Sequence, residues 1–327
     1  EANAPGPVAL WDAETGNRHE VEAEIDGSMV RFETAMPASG SRLYVLGGST
    51  DDLAPAPGLT VRERRSLPDD GWQVQCSEPN VMVLDRASWR TEGGEWHGPD
   101  EVLKADMALR DETGLPHRGG RMVQPWAREA GTSGPADNVE VLCEFEVHAL
   151  PTGAIQLAME DPARYEIHLN GHPVSTDAEC GWWVDRSIRL LPVDVALLQT
   201  GTNRLRLRGR YDADAGLETM FLLGDFSVRL EGDSPVMQAA RHPDFGDWTG
   251  QGFPFYSGGM RHRRTVKVNP QDNDRVFVEV PAFRGSCGRV LVDGEEAGRL
   301  SWEPHEVDVT DLVQGRESIE LAVEIIS

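Results

Sequence analysis

The sequence predicts an all-β protein built of β-sandwiches in tandem, on three observations. Strand-like stretches with period-two alternation recur along the chain, as in ArgLeuArgLeuArg at 204–208, which puts one face of each strand in a core and the other in water. Turn residues punctuate these stretches at the short spacing of sandwich folds; Gly occurs 34 times and Pro 21 times in 327 residues. One set of parts occurs twice in the same order. ArgTyrGluIleHisLeu, Asn170-Gly171 and HisProVal form one unit, and GlyArgValLeuVal, Asp293-Gly294 and GluGluAlaGly form the other. A two-residue Asn-Gly or Asp-Gly turn between alternating runs is the strongest short-range hairpin signal. Each unit is followed by a matching tail, at 192–207 and at 306–321.

The elements follow in chain order. Residues 8–47 read as a meander of short strands around AspAlaGluThrGly and AspGly turns, too short to close a core alone. Residues 50–58 read as a linker from their Pro, Asp and Gly content. The one good helix is predicted over 98–114, with Pro99 in its first turn, acids early, Leu103, Met107 and Leu109 on a helical spacing and Gly114 at its end. Residues 129–137 read as a Gly/Ser/Pro loop. The first repeat covers 139–209 and the second 261–325. Residues 217–230 supply a strand pair, and 231–260 form a loop rich in Gly, Pro and aromatics. The expected domains are 1–58, the tail of a small sandwich with its linker; 59–232, a sandwich with one inserted helix; and 233–327, a second sandwich.

The repeated hairpin and tail resemble, in TrpGluProHisGluValAspValThrAspLeuValGlnGly at 302–315, the galactose-binding-domain-like jelly rolls of large bacterial glycoside hydrolases, the family 2 and α-L-rhamnosidase-like group. The family's pattern runs strand, Asn-Gly, Trp-Pro-Pro-Tyr, then Asp-(Ile/Val)-Thr-Asp and Pro-Gly-Glu-Asn; this chain departs from it with Asp293, Glu303, His305 and Arg316-Glu317-Ser318. Residues 255–268 are similar to the family's Tyr-x-Gly-x-x-x-Tyr-x-x-x-Phe first strand, departing at His262 and Val266. LeuTrpAspAlaGluThrGly at 10–16 is similar to the small sandwich that follows the catalytic barrel in such enzymes. GlyLeuGluThrMetPheLeuLeuGlyAspPheSerVal at 216–228 also carries the likeness. The resemblance implies tandem jelly rolls plus the tail of a small sandwich, a position after the catalytic barrel, and that barrel as the partner. A (β/α)₈ barrel needs some 250 residues of strand–helix alternation (about 250), and a single helix does not supply it. The chain begins GluAlaAsnAlaProGly with no initiator Met, which reads as the scar of a cleaved tag or as a cut piece, so the missing leader says little about the parent protein.

Candidate site residues are few. Trp182 and Trp183 offer aromatic faces for the apolar faces of sugar rings, with Asp185 and Arg186 to bond hydroxyls; Trp302 and His305 hold the matching place in the second repeat. The plainer reading is that these rings plug a sandwich. Adjacent strand residues point oppositely, which predicts one Trp inward and one outward. Asp212, Asp214 and Glu218, with Gly216 for the turn, form the beginning of a calcium loop without its full pattern, and an ordinary acidic turn competes with that reading. No other cofactor is indicated: there is no zinc spacing, phosphate loop or dinucleotide fingerprint. With 55 acidic residues no carboxylate pair stands out as a glycosidase dyad.

The formal net charge of −24 disfavours nucleic acid and anionic membrane surfaces as partners. Cys76, Cys143, Cys180 and Cys287 form no CxxC pair, and this usage favours a reducing, cytoplasmic compartment over secretion. The expected function is a non-catalytic accessory region of a glycoside hydrolase. A free-standing carbohydrate-binding module and a glycosidase with an interdomain site are the alternatives.

Overall fold

The structure is a computed structural model. It describes residues 2–3, 6–13, 16–36, 40–55, 60–118 and 136–327. The chain divides into two compact units, Glu1–Gln73 with Arg261–Ser327, and Val74–Met260.

The first unit opens with β1 (Ala2–Asn3), β2 (Val8–Trp11), β3 (Arg18–Val21), β4 (Glu24–Asp26), β5 (Met29–Arg31) and β6 (Leu43–Leu46). They form not one meander but two three-stranded sheets, ordered β1-β5-β4 and β3-β2-β6. Val8, Ala9 and Val30 are buried between short strands that leave Trp11, Ile25 and Leu43 exposed. β7 (Gln73–Cys76) carries the chain into the second unit.

The second unit is a two-sheet sandwich. Its strands are β8 (Asn80–Leu84), β9 (Arg86–Thr91), β10 (His97–Glu101), β11 (Asp137–Val147), β12 (Ile155–Glu160), β13 (Tyr165–Leu169), β14 (His172–Val174), β15 (Trp182–Trp183), β16 (Asp185–Val193), β17 (Gly201–Tyr211), β18 (Met220–Gly224), β19 (Ser227–Glu231) and β20 (Ser234–Gln238). One sheet runs β10-β9-β11-β17-β13-β14, with β20 joined to β11 and β19 to β20; the other runs β15-β16-β12-β18-β8. The alternating apolar residues of both close on one core, including Trp89, Val141, Phe145, Leu157, Ile167, Leu191, Leu205 and Leu222. The second sheet is also covered on its outer side, where Val81, Ala158 and Leu223 meet Trp183, Phe221 and Phe255.

Two expectations about this unit are corrected. β18 and β19 do not pair with each other but enter different sheets, and β20 lies within the stretch read as loop. The helix α1 spans Val102–Thr113, not 98–114. Gly98 and Pro99 lie in β10, and the helix starts where the Glu101 carboxylate accepts from the N–H groups of Leu103 and Lys104, at 3.1 and 3.2 Å. Gly114 ends it in the left-handed region, as predicted. The buried face of α1 is Val102, Ala105, Asp106, Leu109 and Arg110, whereas Leu103 and Met107 are exposed. Two charged residues thus take the place that a hydrophobic pattern assigns to apolar ones. The loop expected at 129–137 lies largely outside the described residues.

The second repeat completes the first unit with β21 (Gly259–Lys267), β22 (Phe277–Glu279), β23 (Cys287–Val292), β24 (Glu295–Leu300), β25 (Glu306–Asp308), the single-turn helix α2 (Thr310–Val313) and β26 (Ser318–Ile326). Its sheet order β24-β23-β26-β21 repeats β14-β13-β17-β11 of the second unit, and its β22–β25 pair repeats β12–β16. Both hairpins turn on two residues at positive φ, 52° and 83° at Asn170-Gly171 and 49° and 86° at Asp293-Gly294, the conformation the primed turn requires. Each tail carries an Asp whose Oδ1 accepts from the N–H two residues on: Asp194 from Ala196, Asp308 from Thr310, both at 2.9 Å. The β-sandwich repeat read from the sequence is the architecture of the chain. All four cysteines are free thiols.

Candidate functional site

β15 is the edge strand of the second sheet. It pairs with β16 through Trp182↔Arg189 and Trp183↔Asp185, with an irregularity between them, so Val184 alone makes the reversal. Val184 sits at φ 50°, where a β-branched residue clashes with its own backbone; such positions cost about 1–3 kcal/mol and collect at functional sites. The two tryptophans separate across this turn. Trp183 folds onto the outer face of the sheet and meets Phe221 edge-on, ring centroids 5.0 Å apart. Trp182 stands out with 56% of its surface exposed, beside an exposed Val184. Neither ring enters the sandwich core: the inward ring expected from alternation covers the back of the sheet instead, because the irregular pairing turns the strand end outward.

Asp185 and Arg186 flank the turn. Asp185 Oδ1 accepts from both the N–H and the hydroxyl of Ser187, each at 2.8 Å, and these bonds hold its carboxyl below the ordinary aspartate range. The structure thus gathers Trp182, Trp183, Asp185 and Arg186 at one edge. Trp302 and His305 belong to the first unit, where Trp302 is exposed and the His305 ring lies 4.6 Å from that of Phe283.

Asp212, Asp214 and Glu218 occupy the turn after β17. Asp212 Oδ1 accepts from the N–H groups of Asp214 and Ala215, both at 3.0 Å, and from Arg164 Nη1 at 3.2 Å. Glu218 accepts from Arg118 Nη1 at 2.8 Å. Asp212 and Glu218 face guanidinium groups, and among the described residues no group of three or more His, Cys, Asp or Glu side chains is arranged to hold a metal ion.

Beneath this turn lies a buried polar network to which no motif in the sequence points. Asp106 accepts from the Tyr211 hydroxyl, from Leu217 N–H at 2.7 Å, from Arg110 Nε at 3.1 Å and from Arg118 Nε at 3.2 Å. Arg110, 1% exposed, donates onward to the carbonyls of Pro116 and Ala215. The network pins α1 to the β17–β18 turn. The Asp106/Arg110 spacing of four on a helix was its one sequence signal.

Beside the network a cavity opens at the end of β12, lined by Val102, Val141, Met159, Leu207 and Met220 below and by Glu160, Tyr165 and Glu218 among its polar groups. It is open to solvent and leaves about 20 Å³ for the centres of water-sized groups. Burial raises the Glu218 carboxyl above the ordinary range, against the pull of Arg118 and with the help of the like charge of Glu160.

No family model matches the chain, and no curated protein matches it. Among solved structures the chain is similar to a rhamnosidase from Novosphingobium sp. PP1Y, with 13% identity, 68% of this chain and 22% of that chain covered, and a TM-score of 0.22. It is similar to a GH2 beta-galacturonidase from Eisenbergiella tayi, with 12% identity, 78% and 38% covered and a TM-score of 0.28. It is similar to the Streptomyces avermitilis alpha-L-rhamnosidase, with 11% identity, 99% and 34% covered and a TM-score of 0.29. The chain spans between 22% and 38% of the length of these three proteins.

Proposed function

We propose that this chain is a non-catalytic, accessory β-sandwich region of a multidomain glycoside hydrolase, which packs on the catalytic barrel and contacts carbohydrate through the turn at Trp182. The observation that carries the carbohydrate contact is the edge turn itself. An exposed indole is held out on a strained one-residue reversal, and beside it stands a carboxylate already fixed by Ser187. An aromatic face for the ring and a fixed acceptor for a hydroxyl are the two elements of sugar recognition. The accessory role is supported by the motifs of both repeats and by a chain in which α1 is the one helix longer than a single turn among the described residues.

The test is twofold. The purified chain is expected to turn over no nitrophenyl glycoside in a panel of hexosides, pentosides and uronides. Turnover that disappears on replacing one carboxylate would replace the accessory reading with the glycosidase one. Trp182→Ala is expected to weaken oligosaccharide binding at least about fivefold, by loss of a stacking contact of about 1 kcal/mol or more. Binding by this chain alone at millimolar affinity or tighter would make it a self-sufficient module.

A further inference from the structure

We propose that the outer face of the β24-β23-β26-β21 sheet binds a small oxyanion, a carboxylate or sulfate group such as an acidic sugar carries, and that Arg263 is its anchor. The site lies in the first unit and stands apart from the turn at Trp182, which belongs to the second.

Two rows of side chains cross this face. Arg261 donates to Glu324 Oε2 from Nε at 2.9 Å and from Nη2 at 2.7 Å. Arg289, in register with Glu324, donates to the same oxygen from Nε at 3.2 Å and from Nη2 at 3.1 Å. Arg261 lies on β21 and Glu324 on β26. Val268, just past the end of β21, donates its N–H to the Glu317 carbonyl at 3.0 Å. The contact moves up one strand as it moves down the other, so the two run antiparallel, and the same register sets Arg263 opposite Ala322. Ala322 is paired in turn with Leu291. Residues two apart on a strand share a face. One row is therefore Arg261, Glu324 and Arg289, and the next is Arg263, Ala322 and Leu291. Both rows begin with a guanidinium, and only the first has a carboxylate to receive it.

Arg263 is half-buried. Its Nε is sealed from solvent without a hydrogen-bond partner, and the side chain forms no ion pair among the described residues. Its neighbours across the sheet, Ala322 and Leu291, are buried and apolar. A charged donor partly stripped of water and left unanswered is costly. The other sandwich shows the usual solution: on the outer face of β11 and β17, Arg90 and Arg206 share Glu140, and Arg204 meets Glu144. Around Arg263 the charges do not balance. Arg261, Arg263, Arg289 and Arg299 stand against Glu324, Glu296 and the exposed Glu320, which leaves one positive charge over. The two Nη groups of Arg263 are not sealed off as Nε is. An oxyanion coming from solvent accepts from both, the two-point contact that a guanidinium fork offers, and supplies to Arg263 the counter-charge that Glu324 supplies to Arg261. The net charge of −24 opposes a polyanion, but its field is screened beyond about 10 Å at 0.1 M salt, so a single small anion meets the local charges.

The experiment titrates the intact chain by calorimetry with sodium acetate, sodium D-glucuronate and sodium sulfate at fixed ionic strength, with D-glucose as the uncharged control. At least one of the anions is expected to bind with millimolar affinity or tighter, and Arg263→Gln to weaken it at least about tenfold, the worth of a charge-assisted hydrogen bond. Arg263→Lys keeps the charge without the fork and should fall between the two. Arg204→Gln and Trp182→Ala should bind the anion as the wild type does. Without ligand, Arg263→Gln should melt no lower than the wild type, since it removes an uncompensated charge. Glucuronate binding tighter than acetate and sulfate assigns the site to an acidic sugar, and acetate or sulfate binding as tightly or more assigns it to a free anion; either supports the site. Binding of none of the anions, binding undiminished in Arg263→Gln, equal binding of D-glucose, or a marked fall in the melting temperature of ligand-free Arg263→Gln overturns it.

Discussion

Asp293 and Glu320 exchange two hydrogen bonds across neighbouring strands. Asp293 N–H donates to the Glu320 carbonyl, and Glu320 N–H donates to Asp293 Oδ1, both at 2.8 Å. Asn170 and Arg204 make the same exchange at 2.9 Å in the other repeat. The first turn residue of each hairpin therefore does two things at once: it accepts positive φ and locks the hairpin to the strand beyond it. Asn170 does more, since its Nδ2 donates to Leu197 O and to Oδ1 of the fully buried Asn203. Asn170→Ala is expected to cost about 2–3 kcal/mol and Asp293→Ala about 1–2 kcal/mol in urea unfolding, from lost bonds and left-handed strain. Asp293→Asn should be nearly neutral. Equal and negligible losses would show that the exchange is incidental.

The turn at Trp182 separates exposure from stability. Trp182→Ala is expected to change stability by less than about 0.5 kcal/mol, as exposed positions do. Trp183→Ala should cost about 1–3 kcal/mol through its lost contact with Phe221 and the outer cluster. Val184→Gly should leave stability unchanged or raise it by up to about 1 kcal/mol by relieving the backbone. Thermal melts of the three variants check the order; a loss at Val184→Gly as large as at Trp183→Ala would contradict the strain assigned to it.

Asp106 and Arg110 are a buried pair whose halves depend on each other. Asp106→Ala leaves the Arg110 guanidinium buried without its carboxylate, and should cost about 3–5 kcal/mol. Replacing both, Asp106→Leu with Arg110→Met, should cost less than the two single changes added together, the sign of direct coupling. Additive losses in a denaturation cycle would remove the pair from the account of how α1 is held.

What the sequence shows and what it hides divide along this line. Asn170-Gly171 and Asp293-Gly294 were readable because a two-residue turn at positive φ admits few residue types. The β17 alternation was readable at 204–208, where the buried Leu205 and Leu207 alternate with exposed arginines. The start of α1 was not, since Pro99 satisfies a helix rule while lying in β10, and the N-cap is Glu101. Its buried face was hidden because Asp106 and Arg110 do not register in a hydrophobic pattern. Asp212 and Glu218 were visible as carboxylates, but their arginines stand 48 and 100 residues away in the chain. Tyr165 and Glu160 gave no signal, since a cavity exists only once β12, β13 and α1 have met.

Glu140 carries a pH dependence. Burial pushes its carboxyl up, but hydrogen bonds from Arg206 and Arg90 outweigh that and hold it below its ordinary 4.5. A depressed carboxyl contributes stability that is full above the unfolded value and is lost as pH falls through the lower folded value. The urea midpoint should therefore fall as pH drops from about 5 to about 3, and Glu140→Gln should flatten that fall. An unchanged slope in the variant would assign the acid sensitivity elsewhere.

The central claim is that Trp182 presents the chain to carbohydrate, and affinity electrophoresis tests it directly. Native gels containing a soluble neutral polysaccharide, run across a panel of glucans, galactans and mannans, should retard the wild-type chain in at least one case and release Trp182→Ala to the mobility it has in a plain gel. Wild-type mobility unaffected by every polysaccharide, or retardation that survives Trp182→Ala undiminished, would contradict the claim.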